Sequence, residues 1–292
     1  MSALTKTVVL SNGLHMPIFG LGTSHLGGYS HSAVVYALKN CGYRHIDTAE
    51  RYGTEDKLPL AIKESGIHRE DIFLTSKLWP AHYGYEKTKA AFHNSLQKMQ
   101  TDYLDLYLLH WPYCPLAEKD PKHTLHESWR ALEDLYDEGK IKAIGVSNFL
   151  IPHLEDLLEE CRIRPMVNQV EHHPYNNEKA LFQFCKDNNI QYEGYCPLAK
   201  GRILNEPIVV EIAQQHNKTP AQVLIRWSLQ DGIVTIPKST KESRVLENCQ
   251  VFDFTLSDSQ MTTLHGLHTG LHASWDPYRP QDFMTHIAQM WD

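Results

Sequence analysis

The stretch RHIDTAERYG, residues 44–53, contains the pattern that decides the fold: a short apolar run ending on an ionisable residue, Asp47. Seven similar runs occur elsewhere in the chain, and helical patterns lie between most of them. The eight runs are IFGLGT (18–23), HIDTA (45–49), IFLTSK (72–77), LDLYLLH (104–110), AIGVSN (143–148), MVNQVE (166–171), QYEGYC (191–196) and IVTIPK (233–238). Strands that alternate with helices predict a parallel sheet.

The polar ends of these runs distinguish two parallel folds, the (β/α)8 barrel and the doubly wound sheet. Many of the runs finish on a polar or ionisable side chain, namely Asp47, Lys77, His110, Asn148, Gln169 and Lys238. In a barrel the carboxyl ends of all eight strands share one rim, so distant positions converge on one site. We therefore predict an α/β fold, a (β/α)8 TIM barrel, with the doubly wound sheet as the alternative.

Local signals set the expected boundaries. KTVVLSNGLHMPIFG, residues 6–20, predicts an N-terminal β-hairpin around Asn12-Gly13. Helices are predicted to end at Gly42 and Gly66, to begin at a Thr54 cap, and to begin at Thr219-Pro220. The 292 residues fit one domain, with the barrel at about 17–265 and a C-terminal tail at about 266–292.

Bulk composition limits the partners and the compartment. With 28 basic and 35 acidic residues the formal charge is −7, which argues against a nucleic-acid-binding or polybasic membrane-binding protein. The six cysteines form no CxxC pair, which is typical of a reduced intracellular protein. No run approaches the length of a membrane span or a signal peptide. We expect a soluble, cytoplasmic protein.

Tyr52, five residues after Asp47, raises a chemical question, because a free tyrosine with a pKa near 10 is a poor proton donor. On a shared rim, the Lys77 ammonium would favour the phenolate and lower the tyrosine pKa. Asp47 would keep Lys77 charged, and His110 would hydrogen-bond a substrate oxygen or relay a proton. No nucleophile is evident, so the set suits proton transfer to a carbonyl oxygen with electrons from a cofactor.

These residues lie in segments that resemble the aldo-keto reductases from the hairpin to about residue 265. The matching segments, in the family's order, are GYRHIDTAERYG, LTSKLW, LDLYLLHWP, IGVSNF, NQVEHHPY, GYCPLAKG and IPKSTKESRVLEN. The resemblance implies a barrel that binds NADPH without a Rossmann domain. It also implies a catalytic tetrad of Asp47, Tyr52, Lys77 and His110, in which Tyr52 is the general acid for carbonyl reduction.

The resemblance also implies the cofactor contacts, residue by residue. Gly22 and Thr23 match the loop beside the nicotinamide ribose, and Asp47 is also expected to bind the cofactor. Ser147, Asn148 and Gln169 match the residues that hold the carboxamide, and Tyr195 matches the aromatic that stacks on the nicotinamide. The remaining matches are Leu198 and Gly201 near the pyrophosphate, Lys238, Ser239, Thr240 and Arg244 at the 2′-phosphate, and Glu247 and Asn248 at the adenine.

The substrate pocket is expected to be apolar and aromatic, lined by Ser24, Trp79, His110, Trp111 and Trp275. Ser24-His25 stands where many relatives carry a tryptophan, which changes one wall. The segment AKGRILNEPIVVEIA, residues 199–213, is short and predicts a loop without a long cofactor-closing segment. This resembles the branch with bacterial diketogluconate reductases and some prostaglandin F synthases.

Several other functions are considered. GLGTSHLG lacks the spacing of a dinucleotide fingerprint. The histidines at 172, 173, 265, 268 and 272 have no cysteine or carboxylate at ligand spacing, so we predict no metal. The leading hypothesis is an NADPH-dependent carbonyl reductase that is monomeric. The alternatives are reduction of a prostaglandin endoperoxide at the same site, a non-catalytic NADPH-binding subunit or crystallin-like protein, and a sugar-binding or lyase barrel.

Overall fold

The structure, a computed structural model, describes residues 6–24, 27–114 and 120–279. It contains an antiparallel hairpin followed by eight strands in a second sheet. The strands are β1 (Thr7–Val9), β2 (His15–Pro17), β3 (Leu21–Gly22), β4 (His45–Asp47), β5 (Phe73–Leu78), β6 (Leu106–Leu109), β7 (Ile144–Ser147), β8 (Val167–Glu171), β9 (Gln191–Tyr195) and β10 (Val234–Ile236). The eight predicted strands and the hairpin are confirmed.

The eight strands β3 to β10 are parallel, and each pairs with the next strand in the chain. The first and last strands also meet, since Gly20 N donates to Thr235 O at 3.0 Å and Thr235 N donates to Ile18 O at 3.0 Å. These bonds close the sheet into a barrel. A doubly wound sheet would have two edges and a reversal of strand order, so that alternative is excluded.

Helices surround the barrel and follow its strands. They are α1 (His31–Tyr36, continued by a π-helical turn at Ala37–Cys41), α2 (Leu58–Ser65), α3 (Tyr85–Met99), α4 (Pro121–Asp137), α5 (Ile151–Glu160), α6 (Lys179–Asp187), α7 (Pro207–Gln215), α8 (Pro220–Gln230), α9 (Glu242–Cys249) and α10 (Asp258–His265). The loop after β9 is short, as the sequence predicts, because α7 begins at Pro207. Val209, Ile212 and Ala213 give α7 a buried face at helical spacing.

Most of the predicted helix ends agree with the structure, and one does not. Gly42 and Gly66 end their helices with φ of 79° and 74°, a left-handed conformation that glycine adopts without a steric penalty. Thr219 caps α8 by accepting a hydrogen bond from Gln222 N. Thr54 precedes the 3-10 turn Glu55–Lys57 that leads into α2 at Leu58, but its hydroxyl makes no capping hydrogen bond and lies 2.9 Å from Thr48 Oγ1 instead.

The barrel interior is buried along whole strands, as expected for a parallel sheet covered by helices. Every residue of β5 and β8 is buried. The ionisable side chains of Lys77, Glu193 and His45 within this interior are completely inaccessible to solvent. Over the described ranges, no helix is long and apolar enough to cross a membrane.

Candidate active site

The carboxyl ends of β4 and β5 bring a buried ion pair together. Lys77 Nζ donates to both carboxylate oxygens of Asp47 at 2.7 Å and to Thr48 O at 2.9 Å. Burial would lower the pKa of Lys77, but its neighbours, Asp47 first among them, together outweigh burial and raise that pKa above its ordinary value. The lysine is therefore charged and held in one orientation by three acceptors.

Tyr52 lies at the end of a 3-10 turn, Glu50–Tyr52, just beyond β4. The Lys77 Nζ is 5.0 Å from the centroid of the Tyr52 ring, and the His110 ring packs edge-on at 5.7 Å. Burial raises the pKa of Tyr52, while Lys77 lowers it, and the net pKa is raised. The predicted direction of the lysine effect is correct, and burial acts against it with the larger effect.

Beneath Asp47 lies a second carboxyl group that the sequence analysis missed. Gln169 Nε2 donates to Asp47 Oδ2 at 2.8 Å and to Glu193 Oε2 at 3.0 Å. Burial raises the pKa of Glu193 to about 8, and the neighbouring Asp47 carboxylate adds to the rise. Glu193 is therefore mostly protonated at neutral pH, and one amide group joins a charged and a neutral carboxyl group.

A further set of hydrogen bonds runs along the rim from β7 to β9. Ser147 Oγ donates to Gln169 O at 2.8 Å, and Asn148 Nδ2 donates to His110 O at 3.0 Å. The Tyr195 hydroxyl donates to Asn148 Oδ1 at 2.8 Å. Asn148 has φ of 63°, a left-handed conformation that directs its amide across the strand ends. Side chains at the ends of β7 and β9 are thus fixed relative to one another and to the backbone of the neighbouring strand ends.

These groups line one cavity of about 980 Å³ at the rim. Of the residues predicted for the site, the cavity is lined by Gly22, Ser24, Asp47, Tyr52, Trp79, His110, Trp111, Ser147, Asn148, Gln169, Tyr195, Leu198, Gly201, Lys238, Ser239, Thr240, Arg244, Glu247, Asn248 and Trp275. The other two do not line it. Lys77 lies below Asp47, and the Thr23 hydroxyl donates to Asp47 O at 2.9 Å.

One end of the cavity is cationic. Lys238 follows β10, and Arg244 lies in the first turn of α9. A Cβ on Gly27 would stand 3.3 Å from Lys238 Nζ, so the glycine leaves room for the ammonium. Burial lowers the pKa of Lys238. Glu247 accepts a hydrogen bond from the Thr219 hydroxyl at 2.6 Å, which ties α9 to the start of α8.

The other end of the cavity is aromatic. The rings of Trp79 and Trp275 have centroids 6.2 Å apart, and those of Trp111 and Trp275 are 5.8 Å apart. Trp79 also packs against His110 at 5.3 Å. Two predictions for this end, on His25 and on the tail residues 280–292, lie outside the described residues.

The described part of the tail is held by Glu171 at the end of β8. This carboxylate accepts from Ala273 N at 2.6 Å, Ser274 N at 2.9 Å and His173 Nε2 at 2.8 Å. Burial would raise the pKa of Glu171, but hydrogen bonds from His173, His272 and Ala273 N outweigh burial and lower that pKa to about 2. A buried carboxylate therefore positions the tail segment that carries Trp275.

Sequence reasoning missed other residues of the cavity, including Arg51, Lys200, Ala273 and Ser274. The adjacency of Arg51 to Tyr52 was an available signal. The loop after β9 gave none, because its shape depends on unusual backbone. Cys196, Ala199 and Lys200 have φ of 58°, 46° and 55°, and such strained positions cluster at binding sites.

The histidines that the sequence analysis rejected as metal ligands make contacts with other side chains and with the backbone. His172 stacks on Trp227 with ring centroids 4.7 Å apart, and His265 Nε2 lies 2.6 Å from Asp231 Oδ2. His268 Nδ1 accepts from Asn177 N at 2.9 Å. Within the part of the chain that the structure describes, no group of three or more His, Cys, Asp or Glu residues is arranged to hold a metal ion.

Comparisons with known proteins agree on one family. The model of the Aldo/keto reductase family matches residues 19–268. The chain is 49% identical to glyoxal reductase of Bacillus subtilis (strain 168) over 269 residues, which cover 91% of this chain and 94% of that protein. It is 45% identical to 9,11-endoperoxide prostaglandin H2 reductase of Trypanosoma cruzi (strain CL Brener) over 275 residues, 92% of this chain and 94% of that protein. A crystal structure of an aldo-keto reductase complexed with NADPH superposes with a TM-score of 0.87 at 31% identity, covering 94% of this chain and 91% of that one.

Proposed function

The chain belongs to the aldo/keto reductase family, and from this premise we propose that it reduces aldehydes and ketones with NADPH, with Tyr52 as the general acid. One observation carries the proposal. The Lys77 ammonium is fixed by Asp47 and Thr48 O on one side and lies 5.0 Å from the Tyr52 ring centroid on the other. A fixed cation beside a buried tyrosine stabilises the phenolate that proton donation would leave.

Each residue of the proposed tetrad has a distinct task. Tyr52, protonated at neutral pH because its pKa is raised, donates its proton to the carbonyl oxygen as negative charge develops there. Lys77 stabilises the resulting phenolate, and Asp47 orients Lys77. His110, packed between Tyr52 and Trp79, hydrogen-bonds the carbonyl oxygen and orients it toward the tyrosine. NADPH, when bound, supplies the hydride.

The donor set of the cavity fits NADPH. Lys238, Ser239, Thr240 and Arg244 put two cations and two hydroxyl groups at one end, which suits a dianionic phosphate. A Cβ on Gly22 would meet Ile236 O at 3.2 Å, so the absence of a side chain at Gly22 avoids a close contact in the cavity wall. Tyr195 would stack on the nicotinamide, and Asn148 and Gln169 offer the donors and acceptors that a carboxamide needs.

Tyr52→Phe tests the proposal. The variant removes the proton donor, and we expect kcat for an aromatic aldehyde with NADPH to fall by about 10²–10⁴-fold. NADPH binding, followed by quenching of tryptophan fluorescence, should be retained, which separates lost chemistry from lost folding. A Tyr52→Phe variant with full activity would contradict the assignment. Tight NADPH binding without turnover of any carbonyl by the wild type would favour the non-catalytic subunit.

A second candidate reaction at the same site is reduction of a prostaglandin endoperoxide. The observation that favours it is the 45% identity to the Trypanosoma cruzi protein, which is named for that activity. The aromatic end of the cavity, with three tryptophans, suits a long apolar substrate. NADPH consumption with a prostaglandin endoperoxide, measured beside the aromatic aldehyde, decides whether both reactions occur.

The proposal also extends to the cofactor preference, oligomeric state and location of the enzyme. A preference for NADPH over NADH follows from the two cations, and Arg244→Met should raise the Kd for NADPH more than the Kd for NADH. A single-domain, monomeric protein in the cytoplasm, acting without a metal, remains the prediction from the sequence.

A further inference from the structure

Gln169, on β8, is held at both its main chain and its side chain. Its carbonyl oxygen accepts from Asn148 N at 2.9 Å and from Ser147 Oγ at 2.8 Å. Its side-chain nitrogen donates to Asp47 Oδ2 at 2.8 Å and to Glu193 Oε2 at 3.0 Å. The main chain at Gln169 is therefore fixed, and the direction of its amide group depends on two carboxyl groups.

This hydrogen bonding determines what the Gln169 amide can offer to a ligand in the cavity that it lines. A primary amide has two N–H hydrogens and one acceptor oxygen. Asp47, at the end of β4, takes one hydrogen, and Glu193, on β9, takes the other. Because the nitrogen and the oxygen leave the amide carbon in different directions, the oxygen points away from both carboxyl groups. Of the donors and acceptors that this amide contains, the acceptor is the part left for the carboxamide that is proposed to bind here.

The two carboxyl groups constrain the amide in different ways. The negative charge of Asp47, paired with Lys77, would repel the amide oxygen, so Asp47 decides which end of the amide faces it. One hydrogen bond still lets the amide turn about that contact, and Glu193 accepts the second hydrogen and stops the turn. Without Glu193 this hydrogen would be a buried donor without an acceptor, which is costly, so the amide would turn it toward the cavity.

We propose that Glu193 is a positioning residue of the cofactor site, which holds the oxygen of Gln169 toward the cavity as an acceptor for the NH2 of the nicotinamide carboxamide. The inference rests on the proposed use of NADPH. Glu193 is completely buried and acts through Gln169, which lines the cavity. A buried acceptor rejects a ligand that lacks the matching N–H group, because the acceptor then stays unpaired. The ligand class is therefore a pyridine dinucleotide with a primary amide on its ring.

The test compares the binding of NADP+ with that of its 3-acetylpyridine analogue, in which an acetyl group replaces the carboxamide. Quenching of tryptophan fluorescence gives the Kd of each, so no turnover is needed. We expect the wild type to bind NADP+ more tightly by about tenfold or more, because the analogue leaves the Gln169 oxygen unpaired. Glu193→Leu should reduce this ratio to about threefold or less, since an amide that can turn offers an N–H group to the acetyl oxygen. Glu193→Gln should keep the wild-type ratio, because its side-chain oxygen can still accept from Gln169.

Glu133→Leu is the matched control for a general loss of stability. Glu133 is a buried carboxyl group on α4, away from the cavity, and it accepts from Arg162 N and Ile163 N at 2.7 Å. Its replacement should lower the urea concentration at the unfolding midpoint and leave the ratio of the two Kd values unchanged. If Glu193→Leu does not fold, Glu193→Met makes the same test with a more adaptable side chain.

Two results would overturn the inference. One is a wild type that binds NADP+ and the analogue with the same Kd, and the other is a wild-type ratio in Glu193→Leu or Glu193→Met. Either result leaves the proposed function standing where the wild type reduces an aldehyde with NADPH. A wild type that does not bind NADP+ would overturn both the inference and the proposed function.

Discussion

The floor and the tail wall of the cavity are built in different ways. The floor consists of side chains at strand ends, and its Asp47–Lys77–Gln169 contacts are 2.7–2.8 Å long between residues of three different strands. The tail wall is irregular chain, and Glu171 fixes it through the backbone N–H groups of Ala273 and Ser274. The barrel strands thus position the proposed catalytic side chains, whereas Trp275 lies on irregular chain that is held by hydrogen bonds to Glu171 and to Tyr175 O. Substrate choice can therefore change without rebuilding the fold.

The strongest test of this contrast removes the cation from the floor. Lys77→Met leaves the Asp47 carboxylate buried without its ion-pair partner, which we expect to destabilise the protein by about 3–5 kcal/mol. Turnover should fall by about 10³-fold for every carbonyl, because the proposed proton donor loses its neighbour. Urea unfolding and kcat for several aldehydes are the measurements.

The double variant Asp47→Asn/Lys77→Met is the matched control for that experiment. It removes the charge that the single variant leaves buried, so part of the lost stability should return while turnover stays low. If Lys77→Met unfolds at the wild-type urea concentration, the buried pair does not hold the floor, and the contrast with the tail wall fails.

The sequence predicts the floor better than it predicts the tail wall, because the floor is built from strand ends. The floor was accessible because each polar residue ends an apolar strand, as in RHIDTAERYG and IFLTSK, and a barrel rim gathers such ends. The hydrogen bonds from Gln169 to Asp47 and from Ala273 to Glu171 join residues 122 and 102 positions apart. No local pattern encodes such contacts, so the anchoring role of Glu171 was missed.

Burial explains two further differences. Glu193 occupies an inward position of β9, where the alternation of the strand fixes its direction but not its neighbours. The net pKa of Tyr52 was likewise beyond the sequence, because the sign depends on how far desolvation outweighs a known cation. Thr54 was mistaken for a cap because its type and position suit one, while three threonine hydroxyls meet there instead.

A smaller effect is expected from releasing the tail wall. In Glu171→Gln, one carboxylate oxygen becomes an NH2 group that cannot accept from the tail backbone. Loss of a hydrogen bond to a charged group costs about 1.5–3 kcal/mol, so hydrogen exchange at Ala273 and Ser274 should quicken by about 10–100-fold. The KM of substrates that contact Trp275 should rise more than kcat falls.

Glu159→Gln, on the exposed face of α5, is the control for the tail variant. It makes the same chemical change away from the cavity and should leave both exchange and KM at wild-type values. The tail wall would have some other anchor if exchange at Ala273 and Ser274 were equally slow in Glu171→Gln and Glu159→Gln.

A pH-dependent effect is expected at Glu193, which tests whether every part of the floor stabilises the protein. The pKa of Glu193 is about 8 in the folded protein, above its ordinary value of 4.5. Between these values the folded state binds more protons than the unfolded state, so the free energy of unfolding falls as pH rises. The contribution of Glu193 is complete below pH 4.5 and is lost as the pH rises toward about 8.

Glu193→Gln removes this titration while keeping a side-chain oxygen that accepts from Gln169. As the pH rises from 5 to 8, the free energy of unfolding should therefore fall more for the wild type than for the variant. Urea unfolding across that range measures the difference. Parallel stability curves for the two proteins would mean that Glu193 is ionised in the folded state at the lower pH. The floor would then hold two negative carboxylates on one amide, and His45, whose pKa burial lowers to about 3, could not neutralise the second.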